Sequence, residues 1–126
     1  MRSGLSAFLE FVETHPNAWV ILFRDPPPTD AVIVDAHRRI QERATAALVP
    51  LLAAGPTKAH PNDPEGAELV VEREMAAEVI KRAADGLAAW WYDHRDVPRE
   101  HLLRVLMNAL WVGFERFVAG ERWGRE

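Results

Sequence analysis

Apolar residues recur along most of this chain at spacings of three and four, the repeat of a helix that hides one face. In "SGLSAFLEFVET", about Ser3 to Thr14, Leu5, Phe8, Leu9 and Val12 mark that face. His15-Pro16 ends the segment, because a residue before proline resists the α region. Pro16 can open a short second helix at its first turn. That helix reaches about Arg24 through the nearly all-apolar "NAWVILFR", and "DPPP" stops it. A third segment starts near Thr29 or Asp30, both suitable N-cap residues. Ile33, Ala36, Ile40, Ala44, Ala47 and Leu51 line one side of it, and Asp35, Arg38, Arg39, Glu42 and Arg43 the other. Pro50 should kink or fray its last turn. "AGPTKAHPNDPEG", Ala54 to Gly66, lacks helical period and predicts a surface loop. The fourth segment, about Ala67 to Tyr92, carries an apolar stripe of Leu69, Ala76, Ile80, Ala83, Leu87 and Trp91. Beside it runs a charged stripe of Glu74, Glu78, Lys81 and Asp85, with Lys81 and Asp85 four apart, where they can pair. Asp96 caps the fifth helix, Val97 to about Ala119, with Pro98 in its first turn and Gly120 at its end. No segment alternates as a strand does; "AVIV", Ala31 to Val34, lies inside the third helical pattern. The pattern predicts an all-α fold of about five helices, the last two long.

The fifth helix is apolar over too much of its circumference to pack on one neighbour alone. Leu102, Leu103, Leu106, Met107, Leu110, Trp111, Phe114, Phe117 and Val118 leave only a thin polar stripe of Arg104, Asn108 and Glu115. Such a helix is either central to its own core or shared with a second copy. Gly113 favours the second arrangement. A mid-helix glycine costs about 1 kcal/mol relative to alanine, and a close backbone crossing would offset that. The fourth helix has its own small-residue run, "RAADGLAAWW", mixed with bulky aromatics. Together the two helices suit a close two-fold bundle, and isologous dimers are the commonest oligomers. Trp90 and Trp91 lie about 100° apart on a helix. Trp91 continues the stripe through Leu87 and is expected to face inward, leaving Trp90 for the partner.

Composition narrows the function classes. The chain has 126 residues, 48% of them hydrophobic, enough for the core of one domain spanning 1–126. A net charge of −4, with Lys and Arg scattered among Asp and Glu, disfavours a nucleic-acid-binding face. Without cysteine there is no disulfide framework, thiolate nucleophile or Cys-ligated zinc, which fits a cytoplasmic location. No apolar run approaches the roughly 18 residues of a membrane span, and no signal-peptide pattern follows Met1. The histidines form no HExxH and no i, i+4 pair, and GxSxG, P-loop and GxGxxG motifs are missing. Neither an enzyme nor a metal or other cofactor is implied. His94 and His101, beside Asp93, Asp96 and Glu100, read as a solvated, capped turn.

Taken together, "LSAFLEFVETHPNAWVILFRD", the long helix and Pro/Gly loop that follow, and "LAAWWYDHRDVPREHLLRVLMNALWVGFERFVAGERW" resemble the C-terminal regulatory domain of the tetracycline-repressor family of transcriptional regulators. The likeness covers nearly the whole chain, in apolar patterns rather than invariant letters. It implies a homodimer joined through the last two helices as a four-helix bundle, and a pocket for a small hydrophobic or aromatic effector. The family's N-terminal helix-turn-helix is missing from this sequence, so operator DNA would be reached only through that absent domain.

On this resemblance the interface residues are Ala83, Leu87, Trp90, Leu103, Leu106, Leu110, Gly113, Phe114 and Phe117. An effector pocket is mostly apolar with a few polar groups. Phe8, Phe11, Trp19, Phe23, Ile40, Met107 and Trp111 are its apolar candidates, and His37 is the polar one. Plain core packing is the competing reading for each aromatic, and a solvated ring for His37. The alternative function is a helical interaction module with a filled core and no effector.

Overall fold

The computed structural model describes residues 1–20, 31–53, 66–121 and 123–124, the side chains of residues 67 and 68 excepted. The described residues form five α-helices in the order α1 (Arg2–Thr14), α2 (Pro16–Trp19), α3 (Ala31–Leu52), α4 (Ala67–Tyr92) and α5 (Arg99–Val118). None of them is in a strand. The all-α expectation therefore holds.

Local chemistry explains the helix ends. His15, held before Pro16, leaves the helical region at φ −129° and ψ 57°, and its N–H closes on the Phe11 carbonyl at 2.8 Å. Gly66 opens α4 at φ 73°, a left-handed backbone that a β-carbon would strain. At the far end of α5, Gly120 at φ 81° completes a Schellman closure. Its N–H meets the Phe117 carbonyl at 3.0 Å, and that of Glu121 meets Arg116 at 2.8 Å. The start of α5 differs from expectation. Asp96 is not the cap; Pro98, with ψ 143°, holds the N-cap position without a side-chain hydrogen bond, and the helix begins at Arg99. Val97 precedes a proline and is pushed out of the α region.

The main core lies where α1, α4 and α5 meet, with Trp19 of α2 inserted. Leu5, Leu9 and Val12 of α1 pack with Ala84, Ala88 and Trp91 of α4 and with Leu102, Leu103 and Leu106 of α5. Fully burying an aliphatic side chain contributes about 1.5–3 kcal/mol, so Leu9 and Val12, both at 0% exposure, anchor α1. Trp91 faces inward as expected, and its Nε1 donates to the Val97 carbonyl at 2.8 Å, tying the α4–α5 turn to the core. Trp90 is exposed and stacks on His94 at 3.9 Å. A second, smaller cluster joins Leu52 of α3 to Ala77 and Ile80 of α4, with Leu110, Phe114 and Phe117 packed against it. Pro50 neither breaks nor ends α3: the helix runs through it to Leu52, and Ala53 N–H closes the last turn on Val49.

Candidate binding pocket

α3 meets α4 closely at its C-terminal end, yet α1 and α3 do not close over the stretch of α4 between the two clusters. The result is a cavity of about 460 Å³. Met1, the N-cap of α1, and Gly4, Leu5 and Phe8 of that helix wall it on one side. Ile40, Ala44, Ala47, Leu48 and Leu51 of α3 form another wall, and Ile80 and Ala84 of α4 the floor. Gly4 contributes to the space, since a β-carbon there would meet nothing within 4 Å. The cavity also explains why α3, with a clear apolar face, buries only Leu52 among its described residues. Five of its other apolar residues, Ile40, Ala44, Ala47, Leu48 and Leu51, line the cavity.

One corner of this greasy cavity is polar. Gln41 of α3, Ser3 of α1, and Lys81 and Asp85 of α4 line it. Lys81 is 8% exposed and sits on the helix's packed side, although the sequence pattern assigned it to a solvated stripe. Its ammonium pairs with Glu78 rather than with Asp85, and donates to Thr45 Oγ1 at 2.9 Å and to the Gln41 carbonyl at 3.5 Å. These contacts satisfy the charge and fasten α4 to α3. Burial pushes the Asp85 carboxyl above the ordinary aspartate range. The positive charges of Arg82, His37 and Lys81, and a hydrogen bond from the Gln41 side chain, pull the other way.

The residues expected from sequence are divided by the structure. Phe8 and Ile40 line the cavity. His37, half-buried one turn before Gln41, lies outside the lining, though its charge reaches Asp85. Phe11 is turned elsewhere: its ring stacks on His15 at 5.4 Å and packs on the main core. Trp19 is core, 1% exposed and 6.0 Å from the Tyr92 ring, with its Nε1 unpaired. Met107 and Trp111 border a shallow recess on α5 with Asn108 and Val112, away from the cavity. Phe23 lies outside the described residues. Sequence reasoning missed Gln41, Lys81 and Asp85, because a charged stripe at helical spacing normally marks the wet face.

The expected interface residues also separate. Leu103 and Leu106 are 2% and 4% exposed and pack in the main core of their own chain. Ala83, Leu87 and Leu110 are partly buried against the same core, and Phe114 and Phe117 against the smaller cluster. Trp90 and Gly113 are exposed. Elsewhere on α4 and α5, Val71, Met75, Val79, Val105, Trp111 and Val112 also stand in solvent.

A family model described as the tetracyclin repressor-like C-terminal domain matches residues 1–113. The chain belongs to this family. No curated protein matches the chain, and no solved structure does. Domains of the tetracyclin repressor-like family generally dimerise and bind effectors, and they are not enzymes in general. Among the described residues no helix is long and apolar enough to cross a membrane, and no His, Asp or Glu cluster could hold a metal ion.

Proposed function

We propose that this domain is the effector-sensing and dimerising part of a tetracycline-repressor-like transcriptional regulator acting in the cytoplasm. Its own chemistry gives it no part in reading operator DNA, which falls to a helix-turn-helix domain of the regulator. The observation that carries the sensing half is the cavity. About 460 Å³ of largely apolar space lies between α1, α3 and α4, with a few converging polar groups. Small-molecule sites have that size and that lining. A filled interaction module would have no reason to keep α3 away from α1 at the cost of lost packing. α1 is well placed to report occupancy, because its Leu5 belongs to the cavity wall and to the main core at once.

The dimerising half rests on the exposed apolar side chains of α4 and α5, which form a two-helix face of the kind a second copy would cover. Gly113 fits there, since within the subunit nothing lies within 4 Å of its missing β-carbon.

Thermal melts against a panel of small apolar and aromatic compounds test the sensing claim. A ligand at about 100 times its dissociation constant adds roughly 2.7 kcal/mol of stability. Ala44→Trp, which fills the cavity, should leave the domain folded and abolish those shifts. Shifts that persist in Ala44→Trp would place binding elsewhere.

A further inference from the structure

The charges at the polar corner of the cavity are not equally available to a ligand. An ammonium group has three donors and no acceptor. Those of Lys81 already meet the Glu78 carboxylate, Thr45 Oγ1 and the Gln41 carbonyl. Arg82 is drawn to the same Glu78, with Nε at 3.8 Å. Asp85 lines the cavity outside these ion pairs. Arg82, His37 and Lys81 act on it only through space, and Gln41 supplies its hydrogen bond. An ionised carboxylate can accept about four hydrogen bonds, so Asp85 keeps acceptor capacity on the cavity side. Arg82, His37 and Lys81 offset part of the cost of its half-burial, but none of them forms a direct ion pair with it.

We propose that the effector is a lipophilic amine, bound in its protonated form with its N–H donors on the Asp85 carboxylate and its apolar body against Phe8, Ile40, Leu48 and Leu51. The inference rests on the cavity being an effector pocket, and narrows what that pocket takes. An anionic ligand of the same shape meets Asp85 with like charge and finds the donors of Lys81 occupied. A neutral alcohol fills the apolar space but gives Asp85 no direct ion-pair partner. An alkylamine, like a lysine side chain with pKa near 10.4, arrives charged at neutral pH.

Isothermal titration of the full chain with 4-phenylbutylamine, 4-phenylbutanol and 4-phenylbutyrate tests this, since the probes share one skeleton and differ at the polar end. The amine should bind at least about tenfold more tightly than the acid, with the alcohol between them. Asp85→Asn, its fold checked by a melting curve, should weaken the amine about tenfold and leave the alcohol within about twofold. Equal binding of all three, a preference for the acid, or an amine preference that survives Asp85→Asn overturns the amine assignment while the effector pocket stands. Should Asp85→Asn not fold, the wild-type ranking alone decides. Silence with all three probes overturns the amine assignment together with the pocket reading beneath it.

Discussion

Asp85 sits where ionising a carboxyl is costly, and that has a consequence for stability in the unliganded domain. Its folded-state pKa is raised, chiefly by burial, so between its unfolded and folded values the native state holds the extra proton. Stability therefore falls as pH rises through that window, and the cost is fully present above it. Asp85→Asn should raise the melting temperature at pH 7, and the gain should vanish below the ordinary aspartate range. Melts from pH 3 to pH 8 check this; a gain independent of pH would contradict it. At the centre of the main core, Leu9 is wholly buried. Leu9→Ala should cost about 2–5 kcal/mol in urea unfolding, the range for a large-to-small change in a tight core. Residues of this second kind were legible in the sequence: Leu5, Leu9, Val12 and Trp91 all lie where helical spacing put them. Lys81 and Asp85 were not, because periodicity reports which face a residue shares but not whether that face meets water or a lined void.

At the scale of the elements, most helices were legible and their ends less so. Gly120 marked the close of α5 because only a left-handed residue completes that closure, whereas the competition between Asp96 and Pro98 at its start depended on a backbone angle no pattern reveals. Pro50 shows the same limit. It lacks an N–H and crowds the preceding turn, yet packing of Leu52 and Leu48 against α4 holds α3 together beyond it. Tertiary contact overrides the local rule here. Replacing Pro50 with Ala should restore the missing helical bond. A helix-interior proline costs about 3 kcal/mol, and about 1 is returned by loosening the unfolded chain, so the net gain should be near 2 kcal/mol. Urea unfolding measures it. No gain, or a loss, would contradict this.

At the scale of the whole molecule, a cavity lies between α1, α3 and α4, and exposed apolar side chains of α4 and α5 form the proposed pairing face. The apolar excess of α5 was readable as an excess, but the sequence could not divide it between core and surface. Leu103 and Leu106 went inside, while Val105, Trp111 and Val112 stayed out. Gly113→Leu separates subunit from assembly. Within one chain the new side chain meets open space and improves helix propensity by about 1 kcal/mol, so each subunit should keep its fold. Across a close two-fold contact it should force the helices apart, and sedimentation should then show monomer; a dimer of unchanged strength would put the interface elsewhere. Native mass spectrometry of the wild-type domain with 4-phenylbutylamine tests the pairing sensor most directly. The account predicts a species of twice 14.2 kDa that takes up one amine per chain. A solitary 14.2 kDa chain, or a pair that takes up none, would contradict it.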